Sequence, residues 1–190
     1  MNSFPLINLL QNARDGNTFA LSVVDYEHHE IHAGSHYYVE GTANLTDTEQ
    51  FTAKFVAPSG KQAHLVWDIY ATGQVEVLLY EDAVGGMAGG STHTPINSNR
   101  NSTKAANLIF VSGPTTSTGV GTQLHNWVAG STAKANIRAD PGSANRSNEI
   151  ILKEGSTHMG IIVSNVDNNY VTFRMSWYEH TPKTGLKVAD

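Results

Sequence analysis

The sequence contains no cysteine, and only 15% of its 190 residues are charged. Without cysteine the chain has neither disulfide bridges nor thiolate metal sites. Its 12 Lys and Arg residues form no basic block, and the formal net charge is -5. Because nucleic-acid-binding proteins normally present a basic surface, we expect no nucleic-acid partner.

Long hydrophobic runs are also missing, so no segment of this sequence is expected to span a bilayer and we predict no membrane partner. The first residues, Met1 to Pro5, lack the basic and apolar regions of a signal peptide. We therefore expect synthesis in a cytoplasm.

Thr, Ser, Asn and Gly take the place of charged residues, and they favour turns and strand surfaces over helix interiors. The closing segment, 170–181, alternates Val171, Phe173, Met175 and Trp177 with polar residues. Period-two alternation predicts a strand with one buried face, as in antiparallel sheets. The sequence thus predicts an all-β chain: a single antiparallel β-sandwich, jelly-roll-like, with a short N-terminal helix or arm. A closed barrel is the main alternative.

Other segments follow the same pattern. Two hairpins are predicted, over 62–81 with a Gly turn, and over 157–179, where Met159, Ile161 and Val163 alternate. The Gly- and Ser-rich segment 82–104 is predicted to be a long loop. Further strands are predicted over 19–23, 28–32, 36–40, 51–55, 105–112, 123–128, 133–139 and 148–154.

The N-terminal segment holds the only helix that the sequence predicts. Ser3 suits the N-cap, Pro5 the first turn and Gly16 the end. The predicted organisation is therefore an arm or short helix over 1–16, a sandwich domain over 17–181 and a tail over 182–190. Packing of the helix on its own sheet is favoured over docking on a partner. In the second case the contact residues would be Phe4, Leu6, Leu9 and Leu10.

A histidine-rich segment is the best candidate for a metal site. On a strand, His28, Glu30 and His32 would share one face, with His36 nearby, and imidazole with carboxylate suits Zn, Fe or Ni. Cupin-like enzymes bind metals with such clusters, although the spacing here departs from the cupin signature. The favoured interpretation is a polar strand face without a metal, so no cofactor is predicted.

Catalytic patterns are weak. There is no Gly-x-Ser-x-Gly motif. Carboxylates for glycoside cleavage could come from Asp68, Glu76, Glu81 and Glu179, but solubilising charges on a sheet face are the simpler interpretation. Aromatic residues that could stack on sugars are Tyr37, Tyr38, Tyr70 and Tyr178. No catalytic residue is predicted, and the chain is not expected to be an enzyme.

The Asn-rich segment from Asn97 to Ser102 predicts a compact turn, because Asn side chains bond to nearby backbone. Either the turn is only solvated, or Asn99, Arg100 and Asn101 contact a neighbouring subunit.

Three segments carry a family resemblance: 31–37 (IHAGSHY), 97–102 (NSNRNS) and 177–181 (WYEHT). Together they resemble tailed-bacteriophage virion proteins, in particular capsid decoration or cement proteins with a jelly-roll-like body. The resemblance implies a structural protein on the capsid exterior that binds the major capsid protein, as a homo-oligomer and specifically a homotrimer. The alternatives are a glycan-binding domain of a phage tail or fibre protein and a cupin-like metal enzyme.

Overall fold

The computed structural model describes residues 26–83, 87–114, 121–132 and 149–182. Within these ranges the chain forms a short helix and eleven strands. The helix is α1 (Tyr26–Ala33). The strands are β1 (His36–Leu45), β2 (Gln50–Val56), β3 (Gln62–Ala71), β4 (Val75–Glu81), β5 (Ser91–His93), β6 (Ile96–Asn97), β7 (Ile109–Ser112), β8 (Thr122–Ala129), β9 (Ile150–Leu152), β10 (Thr157–Ser164) and β11 (Asn169–His180).

The strands form two antiparallel sheets that pack as a sandwich. Sheet I has the order β6-β1-β11-β3-β9, and sheet II has the order β5-β7-β2-β10-β4-β8. Without β5, β6 and β7, eight strands remain. Numbered one to eight along the chain, these strands have the order 1-8-3-6 in sheet I and 2-7-4-5 in sheet II. This is the strand arrangement of a jelly roll. The predicted all-β, jelly-roll-like sandwich is confirmed.

The core lies between the sheets. The closing strand β11 alternates as predicted, and its residues Val171, Phe173, Met175 and Trp177 are all at most 5% exposed. Opposite them, sheet II contributes residues such as Phe55, which packs against Trp67 of sheet I with 5.6 Å between ring centroids. The alternation therefore located one face of the core correctly.

Both predicted hairpins are wrong. β3 pairs with β11 and β9, whereas β4 pairs with β10 and β8, so the turn at 72–74 carries the chain from one sheet to the other. The turn at 165–168 does the same between β10 and β11. Two consecutive strands that each bury one face can line the same core as neighbours in one sheet or as members of opposite sheets. The alternation in the sequence is the same in both cases.

Asn169 fastens these two crossings to each other. Its side chain is fully buried, accepts a 2.8 Å hydrogen bond from the Gly73 amide and donates to the Gln74 carbonyl and to Ser164 Oγ, both at 3.0 Å. One amide side chain thus satisfies polar groups of both turns inside the protein.

The segment 28–32 is helical rather than extended, which corrects the predicted strand. Gly34, with a φ of +70°, ends α1. Its amide donates to the Ile31 carbonyl at 3.0 Å, and the Ser35 amide donates to the Glu30 carbonyl at 2.9 Å. These are the two bonds of a Schellman motif, so the glycine that was predicted to separate two strands ends a helix.

Other boundaries shift. The predicted loop 82–104 contains the short strands β5 and β6, and β7 begins at Ile109 rather than at 105. The predictions for the helix over 3–16, the strands over 19–23 and 133–139, and most of the tail lie outside the described residues.

Candidate functional site

The outer faces of the two sheets differ in chemistry. The outer face of sheet I carries mainly polar side chains along β1 and β11, where Glu40 and Arg174 are exposed and 3.7 Å apart, together with the exposed residues Tyr170 (62%) and Ile151 (52%). The guanidinium of Arg174 also lies 4.1 Å above the ring of Tyr38. Thr42 and Thr172 face each other on the same surface. This composition suits a face that remains in contact with water.

The outer face of sheet II contains an apolar cluster. Met159 and Ile161 of β10 point away from the main core and form a second cluster with Ala83, with exposures of 1%, 6% and 7%. The cluster also includes the half-buried side chains of Leu78, Tyr80, Met87 and Val163. The outer side of sheet II therefore holds an apolar cluster beside polar residues such as Lys54 and Glu76.

The apolar surface extends beyond this cluster to exposed residues. Ile109 of β7 is 49% exposed and lies opposite Val56 on the outer side of β2. Val128 of β8 is 57% exposed at the other end of the sheet. These two exposed apolar side chains lie on either side of the buried cluster of the same sheet face.

Strand β8 forms one edge of sheet II. Of the described strands it pairs with β4 only, and the other edge strands, β5, β6 and β9, have two or three residues each. β8 has eight residues, most of them exposed. It is the longest strand edge that the described part of the chain presents.

The Asn-rich segment from Asn97 to Ser102 packs against the end of α1 in the same chain. The Asn97 side chain donates to the carbonyls of Gly34 and Lys104, both at 3.0 Å. The Asn99 side chain donates to the His32 carbonyl at 3.1 Å, and Lys104 Nζ donates to the Ala33 carbonyl at 2.7 Å. The loop therefore caps the C-terminal carbonyls of α1.

Asn99 Oδ1 also accepts a 3.1 Å hydrogen bond from the backbone amide of Asn101. Arg100, by contrast, is exposed. Asn99 thus has a structural role in this chain, while Arg100 remains available to a partner. The other predicted contact residues, Phe4, Leu6, Leu9 and Leu10, lie outside the described residues.

The structure does not assemble the candidate metal site as predicted. Because the segment is helical, His28 and His32 are one turn apart, with 3.0 Å between their Nε2 atoms, and Glu30 is buried on another side of α1. In the described ranges no three His, Asp or Glu side chains are grouped as metal ligands. The strand face on which the cupin-like interpretation depended does not exist.

His36 instead belongs to the contact between β1 and the Asn-rich loop. Its Nδ1 lies 2.6 Å from Ser98 Oγ, and its Nε2 lies 3.4 Å from a carboxylate oxygen of Glu27. Burial lowers the pKa of His36 to about 4, with a smaller contribution from the positive charge of Arg174. His36 is therefore neutral at pH 7.

A buried polar cluster that the sequence did not reveal lies at the end of sheet I. Tyr178 stacks on the ring of His64 with 4.4 Å between centroids, and its hydroxyl donates to Glu149 Oε1 at 2.7 Å. His64 Nδ1 also contacts this oxygen at 2.5 Å, and His64 Nε2 lies 2.9 Å from Nε2 of His180. The cluster joins β3 and β11 to residue 149, which precedes β9. No short motif connects these positions, so only the fold could reveal them.

The predicted carboxylates have different environments. Asp68, Glu76 and Glu81 are partly exposed, as expected for a sheet surface or a strand end. Glu179 is only 5% exposed, which contradicts its interpretation as a solubilising charge. It accepts hydrogen bonds from the Asn107 and Leu108 amides at 2.9 Å and from Trp177 Nε1 at 3.0 Å. Its carboxylate thus holds the chain segment before β7 against sheet I.

Two of the four tyrosines proposed for sugar stacking are buried. Tyr37 and Tyr178 are each 3% exposed, and Tyr37 donates to the Ala105 carbonyl at 3.1 Å. Tyr38 and Tyr70 are only partly exposed. The aromatic surface expected for glycan binding is therefore smaller than the sequence suggested.

A scan against known protein families finds no match, and a search of curated proteins finds no significant match. In the part of the chain that the structure describes, no helix has the length and apolar character that a membrane crossing needs.

Proposed function

We propose that this chain is a structural virion protein that decorates and stabilises a bacteriophage capsid by binding the shell of the major capsid protein. The observation that carries the proposal is the apolar cluster on the outer face of sheet II, flanked by the exposed side chains of Ile109 and Val128. A decoration protein needs a surface that binds the shell, and exposed apolar side chains beside an apolar cluster suit such a contact. The resemblance of the segments 31–37, 97–102 and 177–181 to such proteins supports the same function.

On this proposal, sheet II lies on the shell and sheet I faces outwards. Ile109 is half exposed in the isolated chain and would become buried in the complex. Burying an apolar side chain of this size completely contributes about 1.5–3 kcal/mol, so the exposed half of Ile109 contributes about 1 kcal/mol. Replacing it with a lysine also places a charge in an apolar contact, and the combined effect should weaken binding at least tenfold.

The test is co-sedimentation of the purified chain with expanded capsids of the parent phage that lack it. We expect the wild-type chain and Thr172→Lys to sediment with the capsids, and Ile109→Lys to remain in the supernatant. Thr172→Lys is the matched control, because it adds the same charge to an exposed strand position on sheet I. A wild-type chain that does not sediment, and that mass spectrometry does not find in purified virions, contradicts the proposal.

A further inference from the structure

We propose that β8 is a self-association edge, at which two copies of this chain pair antiparallel about a two-fold axis normal to sheet II. The proposal does not depend on capsid binding. Its occupant is a second copy of the chain, and its product is a sheet that runs through both copies.

The backbone of β8 supplies the first argument. An edge strand presents unpaired N–H and C=O groups that can bond to another strand. Proteins protect such edges by making them short, as in β5, β6 and β9, or by placing charged residues along them. β8 has eight residues, and its sequence, TQLHNWVA, contains no Lys, Arg, Asp or Glu. Because the whole chain carries a formal charge of -5, an uncharged edge is a place where two copies can meet without direct repulsion.

The side chains supply the second argument, because they are self-complementary in one register. A two-fold axis through Asn126 pairs Asn126 with itself and His125 with Trp127 of the second copy. It also brings Leu124 opposite Val128 of the second copy, and by symmetry Val128 opposite Leu124. These two residues are the exposed large apolar side chains of β8, at 38% and 57%. Directly opposed side chains on antiparallel strands are close enough to pack.

The local geometry permits this register. The pairing of β8 with β4 is regular from His125 to Ala129. The register shifts at Leu124, an extra residue on β8 between His125 and Gln123, which pair with Leu79 and Tyr80 of β4. The pairs of Asn126 with itself and of His125 with Trp127 therefore fall in the regular part of the strand, while the pair of Leu124 with Val128 includes the extra residue. A two-fold axis normal to the sheet also keeps the apolar outer faces of both copies on the same side.

The first test is the mass of the purified chain by light scattering after gel filtration, over a range of concentrations. We expect twice the 20.5 kDa chain mass for the wild type at high concentration. Val128→Lys should raise the dissociation constant of the dimer at least tenfold, whereas the control Thr172→Lys should leave it unchanged. A monomer at every concentration, a trimer, or a Val128→Lys dimer as stable as the wild type overturns the proposal.

The second test uses the absence of cysteine. Opposed residues of paired strands have Cα atoms about 4.5–5.5 Å apart, which a disulfide can bridge. Mild oxidation of Asn126→Cys should therefore give a covalent dimer, while Asn44→Cys, at an exposed position of sheet I, should remain monomeric in a denaturing gel. Equal cross-linking of both variants would contradict the register. Capsid co-sedimentation of Ile109→Lys is a separate measurement, so failure of either proposal can be recognised by itself.

Discussion

Removal of the Glu179 side chain is expected to destabilise the fold strongly. The carboxylate accepts from the backbone amides of Asn107 and Leu108, from the Asn107 side chain at 2.7 Å and from Trp177 Nε1. These donors belong to different parts of the chain, because Trp177 lies in β11 whereas 107 and 108 precede β7. Glu179 therefore links sheet I to the segment that leads into sheet II.

The size of the destabilisation depends on which hydrogen-bond donors can find another acceptor once the carboxylate is removed. Asn107 is exposed and can bond to water after the change. Leu108 and Trp177 are 2% and 1% exposed, so their N–H groups would stay buried without an acceptor. Each buried unsatisfied donor costs about 1–3 kcal/mol, which gives about 4 kcal/mol for Glu179→Ala. Glu179→Gln keeps one oxygen in place, and we expect a cost of about 1.5 kcal/mol.

Urea unfolding followed by tryptophan fluorescence measures these differences in the free energy of unfolding. Glu40→Ala is the control, because Glu40 is an exposed carboxylate whose contact with Arg174 should contribute less than about 1 kcal/mol. If Glu179→Ala costs no more than Glu40→Ala, the carboxylate does not hold the two segments together and the reasoning is refuted.

Three further changes test the fold and its pH dependence. The pKa of His36 is about 4 in the folded chain and 6.5 in the unfolded chain. Between pH 4 and pH 6.5 the unfolded chain therefore binds a proton more readily than the folded chain. The free energy of unfolding should therefore fall by about 2–3 kcal/mol as the pH drops from 6.5 to 4. Urea titrations at both pH values should show a smaller loss for His36→Asn. An unchanged loss would contradict the role of His36 in the pH dependence. Asn169→Ala should cost about 2–4 kcal/mol in the same assay, because it leaves buried groups of both crossings unsatisfied; a cost below about 1 kcal/mol would count against this role. Gly34→Ala should lower the melting temperature, since its Cβ would lie 2.3 Å from Ser102 Oγ and its φ is +70°. Ser102→Gly in the same chain should recover part of the loss, and no recovery would rule out the steric contribution.

The fold class was predictable because strand alternation is a local property. β11 alternates over its whole length, and its inward residues are those that the sequence assigned to the core. Which sheet a strand joins is not local, and both hairpin predictions were wrong for this reason. The separation of β3 from β4 depends on their pairing with β11 and β10, which lie about 100 residues further along the chain.

The helix α1 shows a different limit. His28, Glu30 and His32 fit a strand face as well as a helix turn, and eight residues are too few for periodicity to distinguish them. The deciding signal was Gly34, which can end a helix or break a strand. The buried cluster of His64, Glu149 and Tyr178 could not be predicted at all, because its members are far apart in sequence and only the register of β3, β11 and β9 brings them together.

Strand β10 explains why the apolar face of sheet II was hidden in the sequence. The alternation of Met159, Ile161 and Val163 suggested the buried side of the strand, yet these residues face away from the main core, while His158, Gly160 and Ile162 face inwards.

The inward position 160 holds a glycine because the ring of Trp67 from the opposite sheet occupies the space of a side chain. A Cβ on residue 160 would lie 2.1 Å from that ring. His158 is fully buried, its Nε2 lies 3.7 Å from a carboxylate oxygen of Glu81, and burial lowers its pKa, so it occupies the core as a neutral side chain. A nearly continuous apolar strand is typical of a sheet that is covered on both faces. In the described part of the chain the outer face is covered only in part, around Ala83 and Met87, and the uncovered remainder is the surface that we assign to a partner.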